Sequence, residues 1–388
     1  MTAVRQPLLP GSTLGVLGGG QLGRMFVHAA QRLGYATAVL DPDAESPAGL
    51  VSHVHLQADY VDPDALRRLA RESSAVTTEF ENVPAQALQA LAAHVPVSPG
   101  AEAVSIAQDR AREKAHFARC GVPCAPHAII ETEAQLGAVD DALLPGILKT
   151  SRLGYDGKGQ VRVGTRAELT AAWDALKRVP CVLERLLPLA SECSVVVARG
   201  GDGAMVHLPI QRNTHRDGIL AVTEVGHGVV PQELAAQAIQ ATRAIAQGLD
   251  YVGVLCVEFF VLQDGRLVVN EMAPRPHNSG HWSIDGADVS QFELQVRTLA
   301  ALPLVQPRQH SEAVMLNLLG DLWVAHGHEQ APPWAAVLAL PGAHLHLYGK
   351  AQARAGRKMG HLTFTAPDRD GVRATALRAC ELLGLPAF

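Results

Sequence analysis

The first 110 residues alternate short apolar runs with longer stretches whose apolar positions recur at helical spacing. Strands are predicted at residues 13–17, 36–40 and 75–78, and helices at 21–33, 62–72 and 84–93. Strands and helices in regular succession are typical of a parallel sheet covered by helices. The pattern therefore predicts an α/β, Rossmann-like domain over residues 1–110.

Between residues 111 and 302 the pattern changes to closely spaced strands. A helix at 112–120 is expected to end at Gly121, with Pro123 just beyond it. Strands are then predicted at 146–149, 161–163, 182–184, 194–198, 204–209, 254–262 and 266–270. Polar, Gly-rich connections, and the Asp264-Gly265 turn between the last two strands, indicate antiparallel pairing. This central part is expected to be α+β.

Residues 303–388 predict a third, smaller domain rich in β-structure. Strands are expected at 343–347 and 361–365, and a final helix at 372–383. A chain of 388 residues exceeds what one hydrophobic core usually organises, which agrees with this division.

Composition narrows the class of protein without naming a function. With 48% hydrophobic and 18% charged residues the chain is globular, and its net charge of -5 gives no support for nucleic-acid binding. No segment approaches the roughly 20 apolar residues of a membrane span. The six cysteines form no CxxC pair and stand in apolar runs, which is typical of buried residues in a reducing compartment. A cytoplasmic protein without membrane or nucleic-acid partners is expected.

Residues 18–23 (Gly-Gly-Gly-Gln-Leu-Gly) lie between a predicted strand and a predicted helix and fit the pattern G-x-G-x-x-G. Asp41 ends the second strand, where the ribose-binding acid of a dinucleotide fold would stand. Glycine lets the backbone approach an anion at the positive end of a helix, but other phosphorylated ligands or a plain tight turn use the same loop. Dinucleotide binding, another ligand and a structural role therefore stay open.

Residues 149–160 contain three glycines and two lysines in a loop between strands. Glycines allow close approach and lysines neutralise charge, so the loop suits a mobile cover over a polyphosphate. It is not a Walker A loop, and a solvated hairpin is the alternative. Tyr155 and Asp156 inside the loop suggest that a second substrate meets the nucleotide there.

Glu258 and Glu271 lie on adjacent, otherwise apolar strands. Two buried carboxylates repel each other, and a divalent cation such as Mg²⁺ resolves the repulsion. The alternative is that one glutamate faces solvent or pairs with an arginine. Asn270 offers a further oxygen, and the following segment 272–282 concentrates donors that suit a small anion or a polar heterocycle.

Together these segments resemble the N5-carboxyaminoimidazole ribonucleotide synthetase family of ATP-grasp ligases, over nearly the whole chain. The resemblance rests on residues 18–23, 78–83, 108–110, 113–114, 154–160, 192–195, 213–215, 270–282, 348–350 and 357–361. It implies an ATP-grasp fold that carboxylates 5-aminoimidazole ribonucleotide with ATP and bicarbonate in purine biosynthesis. It also implies a homodimer, and Mg²⁺ (or Mn²⁺) as the metal.

The resemblance carries site residues over to this sequence. ATP would be bound by Arg110, Lys149, Gly154, Tyr155, Asp156, Gly157, Lys158, Gly159, Gln160, Glu184, Arg185, Leu186, Leu187, Glu192, His215, Asn270 and Glu271. The other substrates would be bound by Tyr155, Asp156, Lys158, Arg275, His277, Asn278, Ser279, Lys350, Arg357 and Lys358. Asp156, Arg275, His277 and Asn278 would be catalytic, and Glu258 and Glu271 would hold the metal.

The implied mechanism is phosphoryl transfer from ATP to bicarbonate, and then carboxylation of the exocyclic amine by carboxyphosphate or the CO2 released from it. Catalysis would be positioning and charge neutralisation, with no protein nucleophile. Asp156, His277 and the released phosphate are all candidates to accept the amine proton.

Three residues depart from the family pattern: Ser151 and Leu153 stand where Arg and Gly are common, and Arg212 where an acidic residue is usual.

Three rival functions remain. A formate-using glycinamide ribonucleotide transformylase typically has an acidic residue and threonine where this chain has Asn278 and Ser279. An NAD-dependent dehydrogenase leaves the glutamates unexplained, and a non-catalytic nucleotide-binding regulator is the third.

Overall fold

The computed structural model describes residues 6–154, 159–324 and 331–388. The strands are β1 Thr13–Leu17, β2 Ala36–Leu40, β3 Val54–Leu56, β4 Ala75–Thr78, β5 His127–Ile130, β6 Gly146–Thr150, β7 Gln160–Val163, β8 Cys181–Arg185, β9 Leu189–Arg199, β10 Met205–His207, β11 Gln211–Arg216, β12 Ile219–Val225, β13 Gly253–Leu262, β14 Leu267–Ala273, β15 Glu312–Leu319, β16 Ala343–Leu347 and β17 Lys358–Ala366. The helices are α1 Gln21–Arg32, α2 Pro63–Glu72, α3 Ala85–Ala92, α4 Ala101–Ala107, α5 Arg110–Arg119, α6 Glu133–Gly137, α7 Arg166–Ala175, α8 Gln232–Gly248, α9 Ser283–Gly286, α10 Gln291–Leu299, α11 Trp334–Leu338 and α12 Arg369–Leu383.

The N-terminal strands form the predicted parallel sheet, in the order β3-β2-β1-β4. Local signals account for the helix starts around it: Asp62 caps α2, whose first residue is Pro63, and Asp109 caps α5. Phe292 and Val296 of α10 join the core of this sheet. Residues far along the chain therefore complete the N-terminal unit.

A second sheet is antiparallel, in the order β5-β8-β6-β7. Strand β6 ends with Lys149 and Thr150, and β8 ends with Glu184 and Arg185. The antiparallel pairing sets Ile147 of β6 opposite Glu184 of β8, so Lys149, two residues along β6, is a diagonal neighbour of Glu184 on the same face of the sheet. This sheet carries part of the predicted nucleotide site.

The large sheet runs β14-β13-β9-β11-β12-β15-β17-β16, and β10 pairs with β9. The predicted hairpin is confirmed: β13 and β14 are antiparallel, and Gly265 in the turn has a φ of +83°. Strands β15 to β17 continue the same sheet, so the C-terminal strands extend the central sheet. The boundaries proposed at 110/111 and 302/303 remain predictions.

The structure confirms the predicted α/β class with an α+β central part and adds elements at positions where no defined element is predicted. Within the described ranges these include α7, α8, β11, β12 and β15. No helix in those ranges is long and apolar enough to cross a bilayer. Four of the six cysteines are buried, as predicted, while Cys120 and Cys124 are half-buried.

Candidate active site

Three adjoining cavities form one cleft. The first, of about 450 Å³, is lined by Lys149, Glu192 and His215, among others. The middle one, of about 120 Å³, shares four wall residues with the first: Arg110, Gly154, Glu258 and Glu271. The third, of about 570 Å³, shares four with the middle one: Glu81, Arg275, His277 and Lys358. Because neighbouring cavities share wall residues, the three lie side by side.

Beside the first cavity, Glu184 lies between two lysines. Its Oε2 is 2.9 Å from Lys149 Nζ, and its Oε1 is 2.8 Å from Lys114 Nζ. Burial opposes the charge on Glu184, but the two lysines outweigh it and lower its pKa to about 2. The carboxylate is therefore ionised and holds Lys149 at the cavity wall.

Deeper in the first cavity, His215 Nδ1 lies 2.6 Å from Glu192 Oε2. Burial opposes protonation of His215, but this hydrogen bond and the charge on Glu258 raise its pKa. The pair joins β9 to β11 at the wall of the first cavity.

The remaining predicted ATP residues divide into three groups. Arg110, Gly154, Gly159, Gln160, Asn270 and Glu271 line the first cavity. Arg185 and Leu186 are exposed and Leu187 is half-buried just beyond β8. Tyr155, Asp156, Gly157 and Lys158 lie outside the described residues, so their predicted roles stay predictions.

The two glutamates face each other, since Glu258 of β13 is the register partner of Glu271 of β14. Burial and the neighbouring Glu271 charge raise the pKa of Glu258, although His215 opposes this. Burial also disfavours the Glu271 anion, but Arg110, whose Nη1 is 3.0 Å from Glu271 Oε2, lowers its pKa. The alternative that one glutamate pairs with an arginine is thus observed for Glu271.

Unsatisfied oxygens at this point fit a divalent cation. Among the described residues, Glu258 Oε1 and Asn270 Oδ1 are buried without a hydrogen-bond partner. Hard oxygen atoms of this kind are what Mg²⁺ prefers, together with phosphate oxygens. No cluster of three or more His, Cys, Asp or Glu side chains within those ranges forms a cage, so the protein alone would supply few ligands.

Arg275 links the central sheet to the N-terminal unit through an ion pair with Glu81. The two residues are 194 positions apart, and both line the middle and third cavities. Burial opposes the charge on Arg275, but Glu81 raises its pKa, so the guanidinium stays charged. Arg275 therefore supplies a fixed positive charge where the cavities meet.

The predicted substrate loop continues along the same wall. His277 Nδ1 is 2.9 Å from Ser279 Oγ, and His277 Nε2 is 3.7 Å from Glu258 Oε1. Burial, followed by the Arg275 charge, holds the pKa of His277 well below its usual value. Asn278 lines the third cavity, and neither its Nδ2 nor its Oδ1 has a partner among the described residues. An unsatisfied buried amide suits a polar heterocycle.

The far wall of the third cavity is basic. The predicted cations Lys350, Arg357 and Lys358 all line it, and Lys350 Nζ donates to the Lys358 carbonyl oxygen at 2.7 Å. Arg354, which was not predicted, lines it too. Arg354 stands between Lys350 and Arg357 in the sequence, and this position would have predicted that it joins the basic wall. Four cations along one wall of a cavity suit a phosphate group.

The glycine loop is held by the protein's own carboxylates. Gly19 N donates to Asp41 Oδ2 at 2.6 Å, and Gly23 N donates to Glu79 Oε2 at 3.1 Å. A Cβ at Gly20 would lie 2.6 Å from Glu79 Oε1. Close packing therefore explains the glycines and removes the basis for dinucleotide binding. Of this segment, Gln21 and Leu22 line the third cavity.

Two of the three departures from the family pattern have a physical explanation. Arg212 pairs with Glu224, its register partner on β12, so its charge is neutralised away from His215. Leu153 has a φ of +61°, a left-handed conformation in which glycine is unstrained. Ser151 is buried, and its carbonyl oxygen accepts from Arg110 N at 2.9 Å.

Several residues that shape the cleft were not assigned in advance. Lys114 pairs with Glu184, and Glu81 pairs with Arg275. Glu113 accepts from Met272 N at 2.7 Å, and burial raises its pKa to about 8. All three lie in segments 78–83 and 113–114, which carry the family resemblance, but no role was predicted for them because an isolated charged residue on a helix or loop usually faces solvent.

Three family models match the chain: a ribonucleotide synthetase preATP-grasp domain at residues 12–108, an ATP-grasp domain at 115–292, and a phosphoribosylaminoimidazole carboxylase C-terminal domain at 313–375. N5-carboxyaminoimidazole ribonucleotide synthase of Brucella melitensis is 46% identical over 367 residues, which covers 93% of this chain and 98% of that protein. The enzyme of the same name from Pseudomonas aeruginosa is 44% identical over 362 residues, covering 93% and 96%.

Solved structures agree with these sequence relatives. An ADP complex of an N5-carboxyaminoimidazole ribonucleotide synthetase matches with a TM-score of 0.90 at 37% identity, covering 99% of both chains. The Aspergillus clavatus enzyme in complex with ADP and 5-aminoimidazole ribonucleotide matches with a TM-score of 0.88 at 31% identity, covering 97% of this chain and 100% of that one.

Proposed function

The chain belongs to the N5-carboxyaminoimidazole ribonucleotide synthase family of ATP-grasp enzymes, and from this membership we propose how its residues divide the reaction. The protein is an ATP-dependent ligase that carboxylates 5-aminoimidazole ribonucleotide in purine biosynthesis. The observation that carries the division of roles is the series of three adjoining cavities, with the facing glutamates in the middle and four cations at one end.

We propose that the first cavity takes ATP, with its triphosphate directed toward the middle cavity. Lys149, fixed by Glu184, would neutralise phosphate charge, and Glu192 would hold the ribose. Residues 154–160 would cover the phosphates. In the first step an oxygen of bicarbonate attacks the γ-phosphorus and ADP leaves, which gives carboxyphosphate.

The ribonucleotide would occupy the third cavity. Its 5′-phosphate would meet Lys350, Arg357 and Lys358, and its heterocycle would lie against Asn278. The amine nitrogen then bonds to the carboxyl carbon of carboxyphosphate or of the CO2 released from it, phosphate leaves, and the amine loses a proton. Arg275 stabilises the negative charge on the transferred group.

Glu258, Glu271 and Asn270 would hold Mg²⁺, or Mn²⁺ in its place. When bound, the ion supplies positive charge against the phosphate oxygens of ATP. Support comes from the unsatisfied oxygens of Glu258 and Asn270 and from the facing carboxylates. Carboxyphosphate is short-lived in water, so a closed cleft is also needed, which is a reason for a Gly-rich cover.

We further propose that the enzyme is a cytoplasmic homodimer with no nucleic-acid or membrane partner, as its family resemblance implies. Light scattering after size-exclusion chromatography tests the assembly, since a dimer has twice the chain mass of 41.1 kDa. A monomeric mass across micromolar concentrations would contradict it.

Phosphate release tests the choice of substrates. The full chain is incubated with ATP, Mg²⁺ and 5-aminoimidazole ribonucleotide, with bicarbonate or with formate, and glycinamide ribonucleotide is the alternative acceptor. Release should require bicarbonate and the aminoimidazole. Release that requires formate and glycinamide ribonucleotide would overturn the proposal.

A further inference from the structure

A row of buried polar groups leads from the large sheet to His277. Thr223 Oγ1 of β12 donates to Asn213 Oδ1 of β11 at 3.1 Å, and Asn213 Nδ2 donates to Ser194 Oγ of β9 at 2.9 Å. Ser194 Oγ donates to Ser279 Oγ at 2.8 Å, and Ser279 Oγ lies 2.9 Å from His277 Nδ1. Apart from His277, each of these residues is at most 5% exposed. Buried polar groups cost free energy unless they are fully hydrogen-bonded, so such a row needs a reason.

The direction of the row at the histidine follows from one donor that cannot be reversed. The backbone N–H of Ser279 donates to His277 Nδ1 at 3.4 Å, so this nitrogen is an acceptor and carries no proton. The 2.9 Å separation between Ser279 Oγ and an accepting nitrogen then requires the hydroxyl proton to lie between them. Each preceding group donates toward the histidine in the same sense, which strengthens the bonds cooperatively.

A competing acceptor does not reverse this order. Gln211 Oε1 lies 3.0 Å from Ser194 Oγ and can share its hydroxyl proton. Gln211 is itself oriented by its Nε2, which donates to the Pro209 carbonyl oxygen. Whichever acceptor Ser194 chooses, His277 Nδ1 still accepts from both the backbone and the hydroxyl of Ser279.

We propose that Ser279, Ser194, Asn213 and Thr223 are positioning residues that hold His277 as the neutral tautomer with its proton on Nε2, facing Glu258. The unprotonated Nδ1 makes the imidazole neutral, and Nε2 then has an N–H to donate. Nε2 lies 3.7 Å from Glu258 Oε1, at the junction of the middle and third cavities.

This tautomer restricts the chemistry of the proposed function, on which the inference rests. A nitrogen that already carries a proton cannot take another from the substrate amine without first losing its own. His277 therefore acts as a hydrogen-bond donor to the oxygens of bicarbonate or carboxyphosphate. The amine proton passes instead to the leaving phosphate or to Asp156.

The tautomer is measured directly by nitrogen NMR of the full chain labelled with 15N-histidine, without substrates. The His277 ring signals are assigned by their loss in His277→Gln. In the wild-type protein Nδ1 should be unprotonated and Nε2 protonated. Ser279→Ala should shift the Nδ1 signal toward a mixture of tautomers and lower kcat about tenfold, while the KM for ATP stays unchanged.

Thr223→Val removes the far end of the row without changing side-chain shape. It should shift the same signal in the same direction and lower kcat about threefold. Thr242→Val is the matched control, because Thr242 is also buried but its hydroxyl donates to Ala238 O within α8, away from the row. The control should leave both the signal and kcat unchanged.

A protonated Nδ1 in the wild-type protein would overturn the inference. So would a Ser279→Ala variant with unaltered ring signals, or a Thr223→Val variant indistinguishable from Thr242→Val. The spectrum is recorded without turnover, so it stands apart from the substrate assay. If the wild-type protein released no phosphate with bicarbonate and the aminoimidazole, the proposed function would fail, whereas the tautomer would be measured all the same.

Discussion

Replacing Glu184 with glutamine would leave two buried lysines without the anion between them. Lys114 is 1% exposed and Lys149 10% exposed at their side chains, and each lies within 3 Å of a Glu184 oxygen. Breaking a buried ion pair by removing one partner costs about 3–5 kcal/mol, because the remaining charges lose their compensation. Glu184→Gln is therefore expected to lower the free energy of local unfolding of β6 and β8 by about 3–5 kcal/mol.

The pKa of Glu184 provides a second measure of the same contact. Its value of about 2 lies below the ordinary 4.5, a difference worth about 3 kcal/mol at roughly 1.4 kcal/mol per pH unit. A depressed pKa contributes stability that is complete above pH 4.5 and is lost as the pH falls toward 2. The difference between wild type and Glu184→Gln should therefore shrink as the pH falls below 4.5.

Amide hydrogen exchange of β6 and β8 measures this local free energy, which whole-chain unfolding of a protein this size would not isolate. Glu133→Gln is the matched control: Glu133 also pairs with an arginine, Arg178, but both side chains are more than half exposed. Glu133→Gln should change the amide hydrogen exchange of β6 and β8 little. Equal effects of the two substitutions, or a Glu184→Gln effect independent of pH between 7 and 3.5, would refute the reasoning.

Three further predictions concern the cleft and its cover. Glu271→Gln should abolish phosphate release while circular dichroism stays that of the wild type; near-normal activity at low Mg²⁺ would contradict the metal role. Lys350→Ala should raise the KM for the ribonucleotide about tenfold or more, as expected for a lost charge-assisted hydrogen bond, and equal rises for ATP would argue against a 5′-phosphate contact. Leu153→Gly should raise the free energy of unfolding by up to about 1 kcal/mol, because Leu153 has a positive φ and is 74% exposed. A lower melting temperature would show that the leucine is not strained.

Much of the fold was predictable because its signals are local. Strands β1, β2 and β4 have the predicted bounds, and the Asp264-Gly265 turn forms the expected hairpin. The turn sets the register as far as Phe259 and Val269, but it would place Asn270 opposite Glu258. A register shift between Glu258 and Phe259 instead brings Glu271 opposite Glu258, and no local signal predicted that shift. The basic stretch 350–358 was also recognisable, because its cations are close together in the chain.

Strand β11 escaped prediction because its buried face is polar. In β11 the buried side chains are Gln211 and Asn213, so the strand lacks the apolar alternation that marks a half-buried strand. Asn213 belongs to the row of hydrogen bonds that ends at His277, and Gln211 accepts from Ser194 beside that row. The hydrophobic pattern therefore did not predict β11, because its buried side chains are polar groups that form hydrogen bonds near the site.

The sequence by itself determined the parallel N-terminal sheet, the β13–β14 hairpin and the kinds of side chain present at the site. Tertiary structure alone decided their partners: Glu79 and Asp41 occupy the glycine-loop amides, and Arg275 meets Glu81 across 194 residues. Periodicity and turn chemistry act between neighbours in the chain. Ion pairs and buried hydrogen bonds form only where packing brings distant segments together, so no local pattern specifies them.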